Sequence, residues 1–121
     1  MVWTGQLDGG LKWAAFAAAD VFVLPSYSEN FGVAAAEALA CGVSTVVTEG
    51  VGLAEEIKST GGGLVVEPNA IAIANALKQL LGNESRRREL SEKGRQLARL
   101  HFSSESVGPA INALFGPFLF V

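Results

Sequence analysis

The sequence predicts an α/β fold in which a parallel sheet of about four strands is flanked by helices, roughly half of a doubly wound domain. Short apolar runs recur along the 121 residues without alternating polar positions, the pattern of parallel strands covered on both faces. Helix-favouring stretches separate these runs, so strands and helices alternate along the chain. We therefore expect a partial Rossmann-like sheet with right-handed crossovers.

Three runs are predicted as buried strands, and a fourth as a weaker strand at the start of the chain. Each of the three is followed by a proline or glycine that ends it, namely Pro25, Gly50 and Pro68. The three strands and the weaker one are Val21–Leu24, Thr45–Thr48, Leu64–Val66 and Val2–Thr4.

Four helices are predicted between and after the strands. Asp8 is placed to cap the first helix and Asn83 the last, and Cys41-Gly42 is a natural stop for the second. Glu55 and Glu56 are interpreted as a solvated turn near a helix start. The four helices are Leu11–Ala19, Val33–Ala40, Ala70–Leu81 and Glu84 to about Leu100.

Composition excludes several classes of protein. A net charge of −3 does not provide the basic face that nucleic-acid binding needs, and 50% apolar residues do not suggest disorder. The single cysteine, Cys41, cannot form an internal disulfide and fits a reducing compartment, which predicts a cytoplasmic setting. The single histidine, His101, excludes a multi-histidine metal site. We see neither a secretion signal nor the roughly 18 uncharged apolar residues that a membrane helix needs.

The segment Ser28–Gly32 lies between the first buried strand and the following helix. In open parallel sheets, ligands bind beyond the carboxyl ends of the strands, often against the N-terminus of the next helix. That terminus has unpaired N–H groups and a partial positive charge. The amides near Phe31, Gly32 and Val33 are therefore placed to hold a phosphate.

Two carboxylates, Glu29 and Glu37, lie on either side of this helix start. Glu37 is about one turn inside the helix, roughly 6 Å along its axis. Carboxylates repel phosphate, but each can accept two hydrogen bonds, which suits a pair of sugar hydroxyls. The expected ligand is a diphosphate with hydroxyl-rich groups on both sides, which is the form of a nucleotide-sugar.

The run ENFGVAAAEALACG, from Glu29 to Gly42, resembles the E-x7-E motif of retaining GT-B glycosyltransferases of the group 1 type. The preceding ADVFVLPS is similar to the strand that enters this motif, and the later GGGLVV, followed by Pro68, is similar to the family's next strand. The likeness continues through two helices to His101-Phe102-Ser103 and ends at about residue 110.

The resemblance implies a role for each residue of the motif. Glu29 would be the catalytic carboxylate, facing the donor sugar and stabilising the oxocarbenium-like transition state. Glu37 would hold the ribose hydroxyls of the nucleotide. Main-chain groups would contact the sugar hydroxyls and the diphosphate, from Asn30, Phe31, Gly32 and Val33. Members of this fold generally need no metal and no other cofactor, since backbone donors stabilise the departing diphosphate.

The resemblance also predicts how the chain is organised. Residues 1–108 would be part of the C-terminal, donor-binding domain of a GT-B enzyme, and the apolar tail 109–121 would pack on the absent N-terminal domain. The upstream Arg and Lys that meet the diphosphate in the family are absent, and Lys12 lies too late in the pattern to be that lysine. We therefore expect the chain to be inactive alone. Peripheral association of the whole enzyme with the cytoplasmic face of a membrane is compatible with the family.

The chain departs from the family's pattern at three positions. Ser44 and Ala54 stand where proline is common, and Ser104 stands where tryptophan is common. These changes affect loops and packing rather than the two glutamates.

Other interpretations stay open at this point. The chain could be a non-catalytic nucleotide or nucleotide-sugar binding module, or an interaction protein that uses its apolar tail. The two glutamates could be ordinary surface residues, Cys41 a small buried residue at a helix end, and His101 a structural residue. The basic run Arg86–Arg88 is interpreted as a solvated helix face.

Overall fold

A computed structural model describes residues 2–101, with only the backbone of His101, and contains five helices and three strands over that range. The helices are α1 Gly9–Ala18, α2 Val33–Ala40, α3 Ala54–Thr60, α4 Ala70–Leu81 and α5 Glu84–His101. The strands are β1 Val21–Leu24, β2 Ser44–Thr48 and β3 Leu64–Val66. The tail 109–121, Phe102, Ser103 and Ser104 lie outside the described residues.

The strands form one parallel sheet in the order β1-β2-β3. Both strand pairs are parallel. The pairing of β1 with β2 begins at Val21 and Ser44, and the pairing of β2 with β3 begins at Val46 and Leu64. Every residue of the central β2 is buried, whereas β1 and β3 are half-buried at the two edges. The predicted α/β class and parallel sheet are confirmed.

Two sequence predictions about elements need correction. The described sheet has three strands rather than about four, because Val2–Thr4 does not form one. Val2 is 85% exposed and Trp3 is 89% exposed, and no described strand pairs with the outer edge of β1. The supposed turn at Glu55 and Glu56 is the first turn of α3, where both side chains are exposed.

Alternate residues of β2 point to opposite faces of the sheet and organise two apolar clusters. Val47 packs in the cluster formed with α2 and α3, and Val46 packs in the cluster formed with α4. Helix α5 contributes to both, because Leu97 belongs to the first cluster and Leu90 to the second. Both faces are therefore covered, as the continuous apolar strands predict.

The helix ends agree with the predicted caps, with one exception. The side chain of Asn83 accepts a hydrogen bond from the Arg86 amide at 3.0 Å and caps α5. Cys41 ends α2, and Gly42 takes a left-handed conformation with φ +75°, as a glycine stop requires. Asp8 occupies the N-cap position of α1 but makes no capping hydrogen bond.

Leu80→Ala should lower the free energy of unfolding by about 2–5 kcal/mol, because the side chain is 0% exposed and its removal leaves a cavity. The adjacent Leu81 is 57% exposed, and Leu81→Ala should change stability by no more than about 0.5 kcal/mol. Urea unfolding followed by circular dichroism measures both. Equal losses of unfolding free energy in the two variants would contradict the burial of Leu80 in the cluster formed with α4.

Candidate functional site

The segment after β1 lies at the carboxyl edge of the sheet and is held by the segment after β2. We call residues 28–32 the acidic loop and residues 50–53 the glycine loop. The Glu29 amide donates to the Gly50 carbonyl at 3.1 Å, and the Gly52 amide donates back to the Glu29 carbonyl at 2.9 Å. These bonds form a parallel bridge between Glu29 and Val51. The backbone of Glu29 is therefore fixed, while its side chain is exposed.

The close approach of the two loops requires glycine at positions 50 and 52 of the glycine loop. A Cβ at Gly50 would overlap the carbonyl oxygen of Tyr27, and a Cβ at Gly52 would overlap that of Asn30. Both obstacles are backbone atoms and cannot rotate away. Sequence reasoning missed the glycine loop. Its signal was present in the run EGVGL, where two glycines at alternate positions directly follow a buried strand.

Gly32 joins the acidic loop to α2. Its φ of +97° lies in the left-handed region, and a Cβ there would lie 2.8 Å from Val51 Cγ1. The first intrahelical hydrogen bond runs from the Ala36 amide to the Gly32 carbonyl at 3.0 Å. The three amides of residues 33–35 precede that bond, the N-cap offers no side-chain acceptor, and the first turn carries no acidic residue. The start of α2 is thus electropositive.

An open cavity of about 420 Å³ lies at this helix start. Five of the six residues predicted for the site line it together, joined by Ser28 and Ala34. These five are Glu29, Asn30, Phe31, Gly32 and Val33. Phe31 lines the cavity, and its side chain also packs against the apolar cluster of α2 and α3. This packing attaches the loop to the core.

The sixth predicted residue, Glu37, does not line this cavity. It is only 6% exposed, one turn further along α2. Its Oε2 lies 3.0 Å from Lys12 Nζ of α1, yet that buried oxygen accepts no hydrogen bond of ordinary geometry. The two glutamates are therefore in different surroundings, and the interpretation of Glu37 as an ordinary surface residue is wrong. Lys12 was not predicted as part of the site.

Cys41 lies half-buried at the end of α2, close to Glu37 and Arg95. Burial, and next the Glu37 carboxylate, raise the pKa of the Cys41 thiol to about 11, while the Arg95 guanidinium opposes them. The thiol is protonated at neutral pH and is not a nucleophile there. Cys41 lies at the helix end as predicted, but it is half-buried rather than buried.

The basic run of α5 is engaged within the protein. Arg86 pairs with Glu89 at 2.8 Å and Arg88 pairs with Glu84 at 3.0 Å. Arg87 donates from Nη1 to the carbonyl of Leu80 at 2.7 Å and so closes the C-terminal end of α4. Two of the three arginines thus form ion pairs along the helix face, and the third caps a helix.

Among the described residues, no three His, Cys, Asp or Glu side chains come together in a group able to hold a metal ion. Within residues 2–101, none of the helices has the length and apolar character needed to cross a membrane.

The model of the family described as glycosyl transferases group 1 matches residues 1–97 of the chain. The capsular polysaccharide biosynthesis glycosyltransferase CapM of Staphylococcus aureus is 30% identical over 101 residues, which are 83% of this chain and 27% of that protein. The D-inositol 3-phosphate glycosyltransferase of Xylanimonas cellulosilytica is 36% identical over 85 residues, 69% of this chain and 20% of that protein.

Among solved structures, sucrose-phosphate synthase from Thermosynechococcus elongatus superposes with a TM-score of 0.80 at 32% identity, covering 96% of this chain and 29% of that one. WaaG, a glycosyltransferase involved in lipopolysaccharide biosynthesis, shares the fold with a TM-score of 0.69 at 24% identity. The chain thus spans between a fifth and a third of the length of these relatives.

Gly52→Ala should destabilise the protein by about 1–3 kcal/mol, because the new methyl group overlaps the Asn30 carbonyl and forces the two loops apart. Gly10→Ala in α1 is the matched control, since a Cβ there meets nothing within 4 Å. That change should be neutral or stabilise by up to about 1 kcal/mol. Thermal and urea unfolding measure both variants, and an undiminished stability of Gly52→Ala would contradict the loop pairing.

At pH 8, iodoacetamide should alkylate Cys41 about 100-fold more slowly in the native chain than in the chain unfolded by urea. The reason is that the raised pKa keeps the thiol of the native chain protonated. The rate should still be climbing above pH 10. Glu37→Gln should increase the native rate, since it removes the second cause of the shift. Mass spectrometry follows the reaction, and equal rates for native and unfolded chains would refute the expected shift.

Proposed function

The chain belongs to the glycosyl transferases of group 1, and we propose that it is the donor-binding part of a retaining enzyme that moves a sugar from a nucleotide diphosphate sugar to an acceptor. One observation carries the proposal. The acidic loop and the electropositive start of α2 share a single open cavity at the carboxyl edge of a parallel sheet. Anionic ligands bind at this position in such sheets.

The diphosphate would lie on the amides at the start of α2. The N–H groups of residues 33–35 have no intrahelical acceptor, and Val33 and Ala34 are exposed towards solvent. Gly32 takes the left-handed conformation from which this helix starts and makes room for Val51 behind the loop. Backbone donors fixed in this way would stabilise the negative charge that develops on the leaving diphosphate. This role needs neither a metal ion nor another cofactor.

Glu29 would face the donor sugar. Its exposed carboxylate borders the cavity, while its backbone is held on both sides by the glycine loop. A carboxylate in that position can accept hydrogen bonds from sugar hydroxyls. It can also stabilise the oxocarbenium-like transition state electrostatically. The rigid loop places the charge without a reorganisation cost at the moment of reaction.

Glu37 would accept the ribose hydroxyls of the nucleotide. Its carboxylate is buried, and Oε2 lacks a hydrogen-bond donor of good geometry. Lys12 compensates the burial of this oxygen by its charge, and a ligand hydroxyl would add the hydrogen bond of good geometry that is missing. Because Glu37 lies outside the cavity lining, the nucleotide would extend along α2 from the diphosphate towards α1.

The complete enzyme would need more chain than is present here. The relatives are roughly three to five times longer than the aligned part of this chain. We propose that the acceptor binds mainly to a separate N-terminal domain and that residues 1–121 alone do not catalyse transfer. Synthesis of a surface or lipid-linked glycan at the cytoplasmic face of a membrane is the setting that fits such an enzyme.

Titration calorimetry with UDP, GDP and ADP tests the proposal. One nucleotide should bind to the wild-type chain, and Glu37→Gln should weaken it by about 10-fold, because a hydrogen bond to a charged group is lost. Glu29→Gln should leave the nucleotide affinity unchanged and weaken only the matching nucleotide-sugar. Glu56→Gln, at an exposed position on α3, is the control.

Three outcomes contradict parts of the proposal. Failure of all three nucleotides to bind a folded chain would overturn the donor-binding role. Equal nucleotide affinities of wild type and Glu37→Gln would show that Glu37 does not bind the ribose hydroxyls. Nucleotide-sugar binding without transfer, even after a family N-terminal domain is supplied, would favour the non-catalytic binding module.

A further inference from the structure

Glu37 is the most deeply buried acidic side chain among the described residues, and it needs a partner there. The residue is 6% exposed on α2, between core alanines that are 0% exposed. An ionised carboxylate in such a place is unfavourable unless a counter-charge or hydrogen bonds compensate it. Oε2 accepts no hydrogen bond of ordinary geometry, so the compensation must come from a charge.

Lys12 supplies that charge from a different helix. Its ammonium lies 3.0 Å from Glu37 Oε2. The same ammonium lies 4.5 Å from the centre of the Trp13 ring. It therefore contacts both a carboxylate and an aromatic face. Trp13 in turn stacks with Phe16, at 5.9 Å between ring centroids. The Lys12 side chain is accordingly only 32% exposed.

The other charged groups near Glu37 do not provide this counter-charge. Arg95 of α5 lies beside Gly42 and forms an ion pair with Glu92 at 3.9 Å. Cys41, four residues along α2, carries a protonated thiol at neutral pH. Among the described residues, Lys12 is the cation paired with Glu37.

Helix α1 is held to the rest of the fold by a few side chains, among them Trp13, which packs against the apolar cluster of α2 and α3. None of its ten residues is fully buried, and Leu11 is 69% exposed. Its described attachments to the rest of the fold include the contact of Phe16 with Phe22 of β1, at 5.7 Å between ring centroids, and the Lys12–Glu37 ion pair. A charge pair across α1 and α2 is therefore well placed to couple the position of α1 to the carboxylate.

We propose that Lys12 is a positioning residue for nucleotide binding, which holds the Glu37 carboxylate in the orientation that accepts the ribose hydroxyls. This inference rests on the proposed function. It adds a residue that contacts the carboxylate and not the nucleotide. Lys12 would act in the free protein, before the ligand arrives.

The experiment compares Lys12→Met, Lys12→Arg and the control Lys58→Met, which removes an exposed lysine of α3. The first readout is nucleotide affinity by calorimetry at pH 7.5. Lys12→Met should bind about 10-fold more weakly, and the double variant with Glu37→Gln should bind no more weakly than Glu37→Gln alone. Lys12→Arg should restore affinity to within about threefold, because it keeps the charge. Lys58→Met should match wild type.

The second readout needs no nucleotide and uses Cys41 as a reporter of the position of the Glu37 carboxylate. The Glu37 carboxylate helps to raise the pKa of the thiol, so a displacement of that carboxylate away from Cys41 lowers the pKa. Cys41 of Lys12→Met should therefore be alkylated at least about threefold faster at pH 8 than Cys41 of the wild-type chain. Loss of a nearby cation with Glu37 left in place would act in the opposite direction.

The outcomes separate the two proposals. Unchanged affinity and an unchanged or slower alkylation rate in Lys12→Met, even with a lower melting temperature, would show a merely structural lysine and overturn the inference. If no nucleotide binds the wild-type chain, the proposed function fails. The alkylation rate then still decides whether Lys12 holds Glu37: acceleration supports it, and no acceleration refutes it.

Discussion

The site depends on the close approach of two backbone segments at the carboxyl edge of the sheet. The acidic loop and the glycine loop exchange hydrogen bonds through Glu29, and this is possible because Gly50 and Gly52 have no side chains to hold the segments apart. A loop of this length would otherwise be mobile, since few contacts restrain exposed connections. Here it extends the parallel pairing of β1 and β2 beyond the strands themselves. The result is a rigid acidic edge beside a helix start.

The same pairing determines how α2 begins. Val51 of the glycine loop packs against the position where a Cβ of Gly32 would stand, so the chain must turn there with a left-handed glycine. The helix that follows has its first two residues, Val33 and Ala34, exposed, and no side chain caps its first amides. An uncapped helix start is a cost for an isolated domain. It is useful when an anion occupies it.

A second constraint is the buried charge of Glu37. The alanines around it allow α2 to pack closely on the sheet, and they also deprive the carboxylate of water. The ion pair with Lys12 meets this constraint and connects α1, which has no fully buried residue, to the helix that carries the site. One pair of side chains thus joins two helices that are separated by a strand in the sequence.

The sequence by itself determined the fold class, the three buried strands, four of the five helices and the cavity-lining residues 29–33, because apolar periodicity and glycine or proline stops are local signals. It could not reveal that Val2–Thr4 lacks a partner strand, since pairing depends on neighbours distant in the chain. Only the tertiary structure decided that the glycine loop holds Glu29 and that Lys12 meets Glu37, 25 residues further along the sequence. The physical reason is the same in both cases. Short polar contacts between separate elements follow from how the helices pack on the sheet, and no local pattern encodes that packing.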